Sequence, residues 1–140
     1  MTNNCPLCET KGENVVVPHP KYRIIRVADV QFPGYFRVIW NEHVKEMSDL
    51  SEADRHLLWD VLNKVEKVLI ETMNPKKINL AEFGTMVPHL HWHLIPRYED
   101  DACYPDSIWS NKHRSCSDEV LRERGKLADD AEERIKAIFA

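Results

Sequence analysis

The sequence predicts an α+β domain: about five short strands in a mainly antiparallel sheet, one long helix, and a C-terminal helical region. Three observations lead there. Short β-branched runs are separated by Pro and Gly turns. Apolar residues recur at helical spacing between residues 52 and 73, and residues 89–95 alternate polar with apolar without a break. The 140 residues, 43% of them apolar, suit one core, so residues 1–140 read as a single domain.

Taken in order, Val15–Val17 and Tyr22–Val27 read as strands joined by the turn Pro18-His19-Pro20. Phe32-Pro33-Gly34 is the next turn signal, with Tyr35–Trp40 as a buried strand behind it. Ser51-Glu52-Ala53-Asp54 resembles a capping box with acidic residues in the first turn. Leu58, Val61, Leu62, Val65, Val68 and Leu69 then set the apolar stripe of a helix from about Glu52 to Met73, stopped by Pro75. Lys77–Phe83 and His89–Pro96 read as two further strands around Gly84. Residues 97–116 show no period, and an irregular stretch that long is often functional. Ser117–Ala140 is the second helical region, with Gly125 as a candidate break.

Composition narrows the function. A formal charge of −4 and a pI near 6.0 give no broad positive field for a nucleic-acid polymer. No apolar run approaches a membrane span. The polar Met1-Thr2-Asn3-Asn4 start lacks the apolar stretch of a signal peptide. A cytoplasmic location with reduced cysteines is the expectation.

His89, His91 and His93 alternate with Leu90, Trp92 and Leu94. On a strand such residues share one face, with neighbours roughly 6.6 to 7 Å apart. Three imidazoles on a buried face need polar partners, and charging all three would be repulsive. The pattern therefore points away from satisfied structural histidines and toward chemistry, with a metal site as one reading, because neutral imidazole is a common metal ligand and two or three His on one strand can chelate.

Pro88-His89-Leu90-His91-Trp92-His93-Leu94-Ile95-Pro96-Arg97 resembles the motif of the histidine-triad (HIT) superfamily. Pro33-Gly34, Arg37-Val38-Ile39-Trp40, His43 and Met47-Ser48-Asp49-Leu50 extend the likeness, as does Cys5-x-x-Cys8, so residues 5–97 are covered and 98–140 form a tail outside it. The resemblance implies a HIT-like fold, a homodimer, and hydrolysis of a small nucleotide conjugate with a purine mononucleotide moiety. It implies that His91 attacks the α-phosphorus to form a nucleotidyl-histidine, without a catalytic metal, while His89 and His93 bind phosphate oxygens or hold the network. A neutral imidazole is a competent nucleophile near pH 7. Many members that transfer nucleotidyl groups carry Gln at the third position, so His93 favours hydrolysis. The resemblance implies that the bond cleaved is a phosphoanhydride or a phosphoramidate.

Two positions depart from the family pattern. Before the triad, Thr85 is the hydroxyl available to a phosphate, and Met86 stands where a proton-donating Ser is common, which weakens the case for phosphoramidates. The polar residue that contacts ribose falls on Val27 by strict count, leaving Asp29 as its substitute and Asn79 as a second nucleotide contact. Some members close a zinc site with two Cys and two His. Cys5, Cys8, His43 and His89 match it in type and order, giving a candidate structural zinc. Glu99, Asp100 and Asp101 would repel phosphate and so should face solvent. Trp109 should either fold over the nucleotide site of the same or the partner subunit, or plug the core or the dimer seam. Two rivals stand beside the hydrolase: a metal-dependent hydrolase chelating its ion with the histidine strand, and a nucleotide-binding regulator with negligible turnover.

Overall fold

A computed structural model describes residues 5–140. The strands are β1 (Asn14–Pro18), β2 (Tyr22–Arg26), β3 (Phe36–Trp40), β4 (Lys77–Ala81) and β5 (His91–Arg97), and the helices are α1 (Glu52–Met73) and α2 (Asp118–Ile138). Short 3-10 turns occupy Pro6–Cys8 and Met47–Asp49. The strands form one five-stranded sheet in the order β1-β2-β3-β5-β4. Every neighbouring pair is antiparallel.

Alternation along the strands gives the sheet two different faces. Ile24, Phe36, Val38, Leu94 and Ile78 point to one of them and pack with Leu58, Leu62, Val65 and Leu69 of α1. Leu58, Leu62 and Leu69 are fully buried, each a contribution of about 1.5–3 kcal/mol. Ser51 caps α1 by accepting from the Asp54 N–H at 3.1 Å. The helix stops at Asn74, whose φ of 47° is left-handed and whose N–H reaches the Ile70 carbonyl. Both boundaries match the sequence expectation.

The turn between β2 and β3 needs glycine at position 34. Gly34 has φ +83°, and a Cβ there would stand 2.3 Å from Met73 Sδ. The end of α1 can therefore close against this turn only because no side chain intervenes.

Gly125 does not break the C-terminal helix, which runs uninterrupted from Asp118 to Ile138. A mid-helix glycine costs about 1 kcal/mol relative to alanine. Burial of Leu121, Ala128, Ala131 and Ile135 on α1 and the sheet outweighs it. Arg26 of β2 ties the helix down through Asp129 at 2.7 Å and Glu132 at 3.1 Å.

Among the described residues, the opposite face is covered at its ends. At one end Leu7, with Cys5 and Val87 beside it, packs on Ile25 and Ile39. At the other, Ala102 and Cys103 of the tail pack with Phe32, Tyr35 and Ile95. His91, His93 and Arg37 lie between these covers, because β5 pairs with β3 through Ile39↔His91 and Arg37↔His93. His89 is not on the strand: β5 begins at His91, so the three imidazoles do not form one row. Pairing with β3 reaches only Ile39↔His91, and the chain before it turns into the N-terminal cover.

Asp101 also departs from expectation. It is buried, not solvent-facing, and takes Arg97 in a bidentate pair at 2.8 and 2.9 Å. The same carboxylate accepts backbone N–H groups of Tyr98, Cys103 and Tyr104. An acidic group this enclosed is tolerable because every oxygen is engaged, and it shapes the first turn of the irregular tail.

Candidate active site

His91 and His93 stand side by side on β5 with ring centroids 4.9 Å apart. His91 Nδ1 lies 2.6 Å from the His89 carbonyl oxygen. A carbonyl only accepts, so Nδ1 carries the proton and Nε2 of a neutral His91 keeps its lone pair. His93 Nδ1 is engaged as well, at 2.6 Å from the Tyr35 hydroxyl. Both rings line a cavity of about 460 Å³ together with Phe83, Thr85, Met86 and Trp109.

The tail forms one wall of that cavity. Trp109 packs edge-on against His93 at 5.1 Å and against Phe83 at 4.9 Å. Trp109 lies over the histidines and is not buried in the core, and half its surface stays exposed. Arg114 holds the tail by donating to the Asp101 and Tyr104 carbonyls, both at 2.7 Å.

His89 faces elsewhere. Its ring is fully buried, and Nε2 donates to the Trp40 carbonyl at 2.5 Å. Nδ1 is thereby left as a lone pair, 3.3 Å from Cys5 Sγ, 3.6 Å from Cys8 Sγ and 3.2 Å from His43 Nδ1. Cys8 Sγ lies 3.2 Å from His43 Nδ1. All four donor atoms fall within 4.8 Å of one another. Tetrahedral zinc at its usual bond lengths spaces N–N edges at about 3.3 Å and S–N edges at about 3.6 Å. The cluster fits, and the Trp40 carbonyl fixes the His89 tautomer as an outer partner does in metal sites. With its ring in this cluster, His89 does not join His91 and His93 as a third ligand of a common ion.

The remaining expected contacts scatter. Thr85 lines the histidine cavity. Asp29 lines a different cavity of about 410 Å³, with Val27, Pro33 and Leu121, and one of its oxygens accepts from the Gln31 N–H at 3.0 Å. Asn79 lies in a third, beside Lys76, Lys77 and Tyr104. Its side-chain oxygen already accepts from Arg97 at 2.8 Å. Sequence reasoning missed Tyr35, Arg37 and Phe83. The pairing of Arg37 with His93 shows only once the strand register is known.

The HIT domain profile matches residues 9–100. The chain belongs to the HIT family. Among curated relatives of this HIT protein, it is 28% identical over 101 residues to bis(5'-nucleosyl)-tetraphosphatase (asymmetrical) of Schizosaccharomyces pombe, covering 69% of this chain and 51% of that one. It is 27% identical over 86 residues to AP-4-A phosphorylase of Mycobacterium tuberculosis, covering 57% and 44%. The chain thus spans about half the length of the curated relatives it matches. Among solved structures, a histidine triad protein from Bradyrhizobium japonicum superposes with a TM-score of 0.71 at 23% identity, covering 89% and 91%. A zinc-bound histidine triad family protein from Mycobacterium smegmatis superposes at 0.65 with 16% identity, covering 99% of each chain. At such identities these likenesses establish the fold. Among the described residues of the HIT protein, no helix is long and apolar enough to cross a membrane.

Electrostatics keep the two cavity histidines neutral. Burial lowers His91, and the Arg37 charge lowers it further, against the pull of the His89 carbonyl. Burial, then His91, then Arg37 push His93 down to about 3. An imidazole in the unfolded chain titrates near 6.5. Between about 3 and 6.5 the unfolded chain therefore binds a proton that folded His93 does not, and stability falls as pH falls through that window. Replacing His93 by Gln should flatten the dependence by up to about 1.4 kcal/mol per pH unit. Urea unfolding of both proteins between pH 4 and 7 measures the two slopes; equal slopes would contradict the assignment.

Proposed function

We propose that this HIT protein hydrolyses a small nucleotide conjugate through a nucleotidyl-histidine intermediate on His91. His91 Nε2 attacks the α-phosphorus, the P–O or P–N bond to the leaving group breaks, and the leaving group departs with the electron pair and takes up a proton. Water then attacks the same phosphorus, the N–P bond breaks, and a nucleoside monophosphate leaves with His91 restored. The observation that carries this reading is the 2.6 Å contact from His91 Nδ1 to the His89 carbonyl. It directs the free lone pair of the other nitrogen to the cavity side without any strong base. The two curated relatives, one named a bis-nucleosyl tetraphosphatase and the other an AP-4-A phosphorylase, support a nucleotide as substrate. A purine mononucleotide is the part we expect to be recognised, with Thr85 at the phosphate. Asp29, a cavity away, is the candidate ribose contact; Asn79, engaged by Arg97, is the weaker one.

Replacing His91 by Asn should lower kcat by at least about a thousandfold, with nucleotide affinity and melting temperature nearly unchanged. Steady-state kinetics on dinucleoside polyphosphates and nucleoside phosphoramidates, with calorimetric binding of a nucleoside monophosphate, make the comparison. Wild-type turnover in the variant would exclude the covalent route. Tight binding with negligible turnover in the unaltered protein would favour the regulator.

Cys5, Cys8, His43 and His89 are the residues we assign to a structural zinc. A bound ion there supplies a crosslink between the N-terminal turn, the connection after β3 and the residues before β5. Because metal binding to such a site is folding free energy, about one zinc per chain is expected in protein prepared without chelator, and stripping it should lower the melting temperature. Elemental analysis with thermal melts before and after chelation checks both, and metal-free protein of unchanged stability would refute the assignment.

A further inference from the structure

Tyr35 and Arg37 are built around His93 in a way that the family motif does not explain. Tyr35 is 2% exposed, and its hydroxyl oxygen sits 2.6 Å from His93 Nδ1. Arg37 Nε and Nη2 approach the same oxygen at 3.3 and 3.2 Å, with the guanidinium carbon 5.3 Å from the Tyr35 ring centroid. A guanidinium has donors and no acceptor, so the phenol oxygen accepts from Arg37. The single hydroxyl proton must then go elsewhere. Among the described residues, His93 Nδ1 is the acceptor within reach. If Nδ1 accepts, a neutral His93 carries its proton on Nε2.

Adjacent histidines are thereby given opposite tautomers. His91 has its proton on Nδ1, held by the His89 carbonyl, and a bare Nε2. His93 has a bare Nδ1, held by Tyr35, and a proton on Nε2. Neither Nε2 has a protein hydrogen-bond partner among the described residues, and both rings line the one cavity. One side chain offers a lone pair and its neighbour an N–H, which are the two groups that attack at phosphorus and stabilisation of a phosphoryl oxygen require.

Resting on the reading of His91 as nucleophile, we infer that Tyr35, oriented by Arg37, is a positioning residue that fixes His93 as an Nε2–H donor to the transferring phosphoryl group. Arg37 makes no ion pair with a carboxylate among the described residues, so its donors are free to orient the phenol and its charge is not cancelled locally. Removing the hydroxyl leaves the His93 ring in place by packing against Phe83 and Trp109, but no longer dictates which nitrogen holds the proton.

The test uses the full chain with ¹⁵N-labelled histidine, the His93 signals being assigned by their loss in His93→Gln. Two-bond ¹H–¹⁵N spectra should show His93 protonated on Nε2, with Nδ1 at the shift of a hydrogen-bonded acceptor, and His91 protonated on Nδ1. In Tyr35→Phe the acceptor shift should disappear, and kcat should fall about tenfold or more, the scale set by losing one positioned donor, with KM within about twofold. His93 protonated on Nδ1 in the unaltered protein, or wild-type kcat in Tyr35→Phe, would overturn the inference. If Tyr35→Phe does not fold, Arg37→Met serves. With no donors on its oxygen, Tyr35 can accept from His93, so an Nδ1–H population should appear, and an unchanged spectrum would count against the inference. The spectra need no substrate. A chain that turns over no nucleotide conjugate but shows these tautomers defeats the hydrolase reading while leaving the Tyr35 assignment standing, and the converse result does the opposite.

Discussion

The carbonyl of His89 is the point on which the site turns. His89 is secured through every polar group it has. Its N–H donates to Val87 at 2.7 Å, Nε2 donates to Trp40, Nδ1 enters the Cys5–Cys8–His43 cluster, and the carbonyl takes the His91 ring. Leaving any of these buried groups unpaired would cost about 1–3 kcal/mol. The neighbouring backbone is fixed too, with Leu90 bonded to Val44 and Trp40 at 2.8 and 3.1 Å. A cluster that looks remote from phosphate chemistry therefore sets the angle and tautomer of the proposed nucleophile two residues away.

Around this point the sheet solves a packing problem. Two neutral imidazoles and an arginine on a buried face are unfavourable unless each finds a partner. The helix-bearing face supplies the hydrophobic core, so the opposite face need be covered only where it is apolar. The N-terminal turn seals Ile25 and Ile39, and the tail seals Tyr35 and Ile95. The gap between the covers is the cavity. Its tail-side wall depends on Asp101, which with Arg97 and Arg114 fixes a segment lacking helix and strand. That arrangement explains how an irregular stretch presents Trp109 to His93 in a defined geometry.

Much of this was legible in the residues. The caps and apolar stripe of α1 announced its limits, and the strand runs with their turns foretold a five-stranded antiparallel sheet. The Cys5, Cys8, His43 and His89 set was readable only through the resemblance to family members that close such a site, since Cys-x-x-Cys alone is a weak signal; the structure brings the four donors together. The departure of His89 from the strand was not, since alternation from 89 to 95 looks the same whether or not β3 extends far enough to pair with its start. Asp101 misled because repulsion of phosphate argued for solvent without regard to a buried cation, and its partner Arg97 is recognisable only from the turn between them. Gly125 misled because local propensity was overridden by packing. Arg37 sits beside His93 by register, and Tyr35, just before β3, reaches it through its hydroxyl; single-strand patterns reveal neither.

The central claim is that His91 becomes covalently attached to the nucleotide during turnover. Mixing the full chain with a nucleoside phosphoramidate or dinucleoside polyphosphate, quenching within one turnover under alkaline denaturing conditions that preserve N–P bonds, and mapping the mass increase by peptide sequencing reads this directly. The account predicts an increase of one nucleotidyl group on the peptide holding His91, localised to that residue and absent in His91→Asn. Turnover proceeding with no such adduct, or with the adduct on another residue, would contradict it.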